Sequence, residues 1–422
     1  MDANANANLD VNADIIIVGA GLAGLHCALR LSEKYPRKKI AILESYSMAG
    51  GRVSTFKKGK VHWESGAGRI PESHTMLSKY CKKYSLTRFP ISSESMYIGD
   101  AGTLQQNIWD SLVSIINTKI ASIPRSTLGH YTMYEVLQKL FDKEVVDDII
   151  TYFPYRSELI TMRADLAFSY EFSSKESFYG IKEGLSAIIE GMVKDLRKRG
   201  VVFLYKYRVT GLGANVFPMR IHAMTPYGMK TFSADKIIFA VHANALRAIS
   251  PFSMYPVLKH LKMTPLLRTY AIFPHEKKVW FEDLPRVVTN NPLRHIIPIN
   301  AKKGIIMTSY TDADDTRKWN LLRKKGDTFL TKALVKELRA LLPLKTIPNP
   351  LYSSSHYWED GCTYWTPGSY DPVKESNDIM RPFPTRFPDI YVCGESYSMK
   401  QAWMEGALEH ADAMLEKYFF LP

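Results

Sequence analysis

Gly19, Gly21 and Gly24, spaced as "GAGLAG", are the first residues of the chain whose types and positions could do chemistry. Gly19 permits a tight turn, Gly21 lets an anionic ligand lie against bare backbone, and Gly24 lets the following helix sit close to the preceding strand. Leu22 and Ala23 then open a helix whose unpaired amide groups and dipole favour negative charge, the chemistry of pyrophosphate binding. Glu44, about twenty residues further on, is placed to accept ribose hydroxyls. A second glycine element comes at once: Gly50 and Gly51 free the backbone, and Arg52 adds a planar positive fork suited to phosphate. Gly68 and Arg69, in "ESGAGRIPESH", offer the same pairing again, with a guanidinium able to give two parallel donors to a carboxylate.

Elements to position these residues are legible on either side. The apolar run "DIIIV" (14 to 18) reads as a strand, "LHCALRLSEKY" has helical spacing, and "KKIAILE" is a second strand that ends on Glu44. Strand, glycine turn, helix, strand and acid together make a dinucleotide site, without separating NAD from FAD. At the far end "DIYVCGES" reads as a strand ending in Gly394 and Glu395. The adjoining segment places Met404, Leu408, Ala411 and Leu415 on one helical face. Between the ends, "GIKEGLSAIIEGMVKDLRKRG" is an amphipathic helix closed by Gly200, and "VVFLYKYRVTGL" and "KIIFAVHANAL" read as strands returning to the same sheet.

The expected class is therefore α/β: a doubly wound, Rossmann-like sheet built from 13–75, 178–250 and 386–422. An inserted α+β substrate-binding domain is expected from 76–177 and 251–385. Residues 1–12 read as a loose polar tail with neither the basic region nor the apolar core of a leader. No window approaches the ~18 consecutive apolar residues of a membrane span. Four scattered cysteines without a CxxC pair argue against a disulfide framework or a metal site and suit a reduced, cytoplasmic setting. The net charge of +13 comes from dispersed runs such as "YPRKK" and "KKGK"; no nucleic-acid module accompanies them, so they read as solvated surface.

The glycine-arginine element directly after Glu44 resembles that of the flavin-containing amine oxidases, and the resemblance extends from residue 14 to about 417. The resemblance implies FAD. It implies that Gly394 and Glu395 touch the flavin's phosphate and ribityl side, and that the backbone of Val209 meets adenine. The helix end at Ala402 to Met404, with Trp403, would face the ring system, where its dipole suits reduced flavin. Within the family "SGAGRIPESHTMLSKYCKKYSL" is most similar to the L-amino-acid oxidases, in which this arginine clamps the substrate carboxylate, so Arg69 carries that role by resemblance. "YWEDGCTYWTPGSY" resembles the stretch lining the flavin's re face, which makes Tyr364, Trp365 and Trp403 candidates for an aromatic cage around the amine.

Three departures stand out. Arg268, in "TPLLRTYAIF", stands where most members carry a lysine implicated in the reaction with oxygen. The clamp's tyrosine partner falls in "LRHIIPI", where Ile296 and Ile297 stand beside His295. Cys362 lies near the covalent flavin attachment point of monoamine oxidases, in a shifted register.

The implied reaction is oxidation of an amine, an L-amino acid or related primary amine, by hydride transfer to flavin. It would give an imine, then a keto acid or aldehyde plus ammonia, with oxygen as acceptor and hydrogen peroxide as co-product. A dehydrogenase or desaturase of poor oxygen reactivity, a monoamine or polyamine oxidase, and a non-catalytic flavin-binding protein are the alternatives. Implied partners are a small amine or amino acid and molecular oxygen, with oligomerisation possible.

Overall fold

The run at the amino terminus builds the strand Ile15–Val18, buried at every position, in the middle of a five-stranded parallel sheet. In this computed structural model residues 13–420 are described, apart from 93, 100–101, 154, 172–175, 215–216, 277 and 344. The expected loose tail, 1–12, lies outside the described residues. Across the sheet the order is Val202–Tyr205, Ile40–Glu44, Ile15–Val18, Lys236–Phe239 and Ile390–Val392. Strands buried on both faces are continuously apolar, as "IIIV" and the "IAIL" before Glu44 are.

One face is covered by the helices Leu22–Lys34, Ser186–Lys198 and Met404–Leu415, whose Leu25, Ile188 and Leu408 share a core with Ile17 and Ile42. The other is covered by an antiparallel ribbon of Arg208–Leu212, Met219–Thr225 and Gly228–Ala234, with Ile221 and Ala223 packed against Ile16 and Phe239. The stretch "VVFLYKYRVTGL" is accordingly divided: Val202–Tyr205 joins the parallel sheet, and Arg208–Leu212 leaves it for the ribbon. Lys206, between them, has a φ of 64°, the left-handed conformation that breaks the strand.

A second, seven-stranded sheet runs in the order Tyr352–Trp365, Leu261–Ile272, Ile305–Asp312, His295–Asn300, Val287–Thr289, Met96–Ile98, Leu104–Gln106. All pairs are antiparallel except Val287–Thr289 with Met96–Ile98. Helices between Trp109 and Glu171 gather around a separate core of Leu112, Ile116, Leu137 and Ile149, with Tyr364 at its edge. A small sheet, Ile70–Pro71 with Phe178–Ile181 and Arg88–Ile91, lies directly after Arg69. No helix among the described residues is long and apolar enough to cross a membrane.

Candidate active site

A single cavity of about 2940 Å³ extends from Glu44 and Val209 at one end, past Gly21, to Arg69 and Trp403 at the other. That is several times the ~300–1,000 Å³ of a site for a drug-sized ligand, and it suits an extended dinucleotide together with a substrate. At its middle the helix Leu22–Lys34 begins on Gly21 with no side-chain cap and no acid in its first turn, so its leading amide groups stay available. A Cβ on Gly21 would find nothing within 4 Å, and on Gly51 would meet only the Gly21 Cα at 3.6 Å. These two glycines leave a cradle that side chains would fill. Gly19 and Gly24 do a different job: a Cβ on Gly24 would stand 2.0 Å from the Gly19 carbonyl oxygen, and Gly19 itself has a φ of 102°.

Glu44, buried at the cavity wall, accepts from the amides of Ala20 and Tyr46, each at 2.8 Å, which fixes its carboxylate at the strand end. Val209 lines the same end from a strand whose register shifts just after it. Arg52, expected as a fork for phosphate, directs its donors to the Glu395 carboxylate at 2.5 Å and the Gly361 carbonyl at 3.2 Å. Burial pulls the Arg52 pKa down, and Glu395 more than offsets this and holds it above the usual value. Glu395 also accepts from the Ala402 amide at 2.5 Å, so one carboxylate braces both glycine-rich halves of the site. Gly394 before it has a φ of 139°.

At the inner end the Arg69 guanidinium lies 3.9 Å over the Phe178 ring and 5.8 Å from that of Trp403, with the two rings stacked at 6.1 Å. Pairing of Ile70–Pro71 with Phe178–Ile181 brings Phe178 there. Glu405 fixes the rest: its carboxylate accepts from the amides of Met76 and Leu77, at 2.7 and 3.0 Å. It thereby caps the helix Thr75–Lys83, which comes after Arg69, from the helix that begins after Trp403. Arg69 makes no ion pair among the described residues.

Arg268 reaches the cavity from Leu261–Ile272, donates to the Gly66 carbonyl and lies 4.5 Å over Tyr310, its neighbour across the strand pair. Gly68 eases this approach, since a Cβ there would press on Nη1 of Arg268 at 3.1 Å. Burial lowers the Arg268 pKa, but the facing Tyr310 and Tyr270 hydroxyls leave it raised, a permanently charged group. Of the expected cage, Tyr364 and Trp403 line the cavity and Trp365 does not. Side chains alternate along a strand, so Tyr364 and Trp365 point opposite ways. Trp365 is fully buried in the sheet core and donates its indole N–H to the Ser398 carbonyl at 3.1 Å.

Met404 and Ala23 also line the cavity, beside Leu22. Ile296 is core and Ile297 reaches the cavity, and hydroxyls there come instead from Tyr155 and Tyr310, rings 5.6 Å apart. Neither tyrosine, nor Arg286 nor Phe178, was singled out in the sequence; strand and helix neighbours give no local sign of contacts made across the fold. His295, buried under these rings, is held neutral by burial and by Arg286, Arg69, Arg294 and Arg268.

The fold and the cavity define an α/β protein with a site for an extended dinucleotide and a cationic, aromatic inner end. The model of the family described as flavin containing amine oxidoreductase matches residues 22–413, and the chain belongs to that family. An L-amino-acid oxidase of Siganus canaliculatus is 23% identical over 96% of this chain and 85% of its own length. An L-amino acid oxidase of Cerastes cerastes is 24% identical over 94% and 84%. Among solved structures, putrescine oxidase bound to putrescine superposes with a TM-score of 0.74 over 97% of this chain and 99% of that one, at 16% identity, a likeness of fold. The protein is a flavin-dependent amine oxidoreductase, and its cofactor is FAD. The open glycine cradle and the uncapped helix end fit that group.

Proposed function

We propose that the chain oxidises L-amino acids at the α-carbon, with Arg69 as the carboxylate clamp. The observation that carries this is a guanidinium facing the cavity beside Trp403, over the Phe178 ring and without an ion-pair partner among the described residues. Gly21, Leu22, Ala23 and Gly51 would receive the pyrophosphate, supported by Gly19 and Gly24. Glu44 and Val209 would take the adenosine end. Gly68, Gly394, Glu395, Trp403 and Met404 would hold the flavin end, with Arg52 braced by Glu395. The units 13–75 with 178–250 and 386–422, and 76–177 with 251–385, are proposed as the FAD-binding and substrate-binding domains, and four free thiols suit a cytoplasmic setting.

Bound FAD supplies the two-electron acceptor for the α C–H bond. The chain's own residues bind and orient. Arg69 gives paired donors to the α-carboxylate, and Phe178 and Trp403 keep its plane fixed and exclude water, so the α-carbon is presented in one pose. No side chain need take the proton, because the neutral amine is the reactive form; turnover rises with pH as the substrate ammonium deprotonates.

Anaerobic mixing of the yellow protein with L-amino acids and with amines lacking a carboxylate tests the reading. Amino acids should bleach the oxidised flavin spectrum. Arg69→Lys should weaken carboxylate-bearing substrates by about 10–100-fold, the worth of a charged bidentate pair, and spare simple amines. Equal loss for both classes, or bleaching by amines alone, would refute the clamp. Arg268 favours one second reading, a dehydrogenase slow with oxygen: a guanidinium on Tyr310 cannot give up a proton as lysine can. Prompt peroxide release in air would dispose of it.

A further inference from the structure

A clamp for one carboxylate leaves Arg286 without a task. It reaches the same cavity as Arg69, from the residue before the strand Val287–Thr289. One of its N–H groups is given to the Ser92 carbonyl and the Tyr155 hydroxyl faces it, while Nε is shut off from solvent with no hydrogen-bond partner. It makes no ion pair among the described residues. A guanidinium has five donors and no acceptor, and burying it short of partners costs free energy that an anion recovers. The charges that bear on the neighbouring His295 are positive: burial, then Arg286, Arg69, Arg294 and Arg268, drive its pKa well below its ordinary value.

Among the carboxylates that line the cavity, Asp312 and Glu158 bear on the choice of substrate. Asp312 is engaged by the Ser157 amide at 2.8 Å and by its hydroxyl. Glu158 faces the cavity from the helix Arg156–Thr161 and would suit a cationic side chain, which makes L-lysine the necessary control.

We infer that the substrate is a dicarboxylic L-amino acid, its α-carboxylate on Arg69 and its side-chain carboxylate on Arg286. This rests on the proposed function and narrows it to a substrate class. Anaerobic stopped-flow reduction of the FAD-loaded, full-length protein tests it, with L-glutamate, L-aspartate, L-glutamine, L-asparagine, L-leucine and L-lysine as probes. One acidic substrate should exceed its own amide by at least about tenfold in reduction rate constant over Kd, because a site built for a charged partner is left unpaired by a neutral one. Arg286→Gln should bring that ratio to within about threefold of unity, and Arg286→Lys should restore part of it. Faster reduction by L-lysine or L-leucine than by either acid in the unaltered protein overturns the inference while leaving the oxidase reading intact. So does a ratio untouched by Arg286→Gln. Silence from every L-amino acid would sink both, and the unaltered protein's panel decides even where a variant fails to fold.

Discussion

Residues in this site divide by whether their space is reserved for a ligand or for the chain itself, and glycines show it best. Gly24→Ala drives a Cβ against the Gly19 carbonyl at 2.0 Å and should cost about 3 kcal/mol or more of stability, read as a lowered melting temperature of the apoprotein. Gly21→Ala meets nothing in the protein, so the apoprotein should melt within about 1 kcal/mol of its parent while FAD binding drops, measured by flavin fluorescence. Glu64 carries a pH signature. Burial raises its pKa from 4.5 to about 7, against hydrogen bonds from Leu185 and Thr55 and the charge of Arg268. The folded protein therefore binds more protons than the unfolded chain between these values, and the contribution to stability is full below the lower and lost as pH rises through the upper. Between pH 4.5 and 7 the apoprotein should lose about 2 kcal/mol relative to Glu64→Gln, followed by denaturant melts. An unchanged difference would exclude a carboxyl held protonated there. At this scale the sequence was informative where function is written locally. Gly19 to Gly24 and Glu44 are one continuous supersecondary unit, and Arg69 stands in a recognisable stretch. Arg286, Tyr155, Tyr310 and Phe178 carry no such mark, since each arrives by a pairing between distant strands or helices.

Among the elements, the helices Thr75–Lys83 and Met404–Leu415 matter most, because they leave Arg69 and Trp403 respectively and are joined by a buried carboxylate. Glu405→Gln keeps the shape but gives up the charge that satisfies the Met76 and Leu77 amides, which should cost about 1–2 kcal/mol. Substrate Kd should rise more than FAD Kd, because the joint aligns clamp and indole rather than the glycine turn. Parallel rises in both would show a merely structural role. Helical periodicity revealed Met404, Leu408, Ala411 and Leu415 as one face, and all four are buried. It could not reveal the cap, for Glu405 accepts from a helix more than three hundred residues earlier in the chain, at a separation of 329. The family resemblance likewise marked the stretch carrying Tyr364 and Trp365 but not which face each takes, a choice set by whether the sheet core or the helical core claims the side chain.

On the scale of the molecule, FAD should act as the clasp between the covered sheet and the cationic end. Added FAD should raise the apoprotein's melting temperature progressively, by the equivalent of about 2.7 kcal/mol at a hundredfold excess over Kd. A melting temperature indifferent to FAD would contradict the cradle. The α/β class and the parallel core were legible because continuous apolar strands and amphipathic helices alternate at both ends of the sequence. The ribbon over the sheet's second face was not, since "VVFLYKYRVTGL" reads as one strand and only the left-handed Lys206 divides it. The pair Arg52 and Glu395 joins residues 343 apart, and the strand Ile390–Val392 and helix Met404–Leu415 complete the layers that the first forty residues or so begin. During synthesis, then, the amino-terminal nucleotide turn emerges from the ribosome long before its partner segment exists. It must wait, half-walled and colourless, until the helix Met404–Leu415 is out, so a chain released before that helix should stay empty.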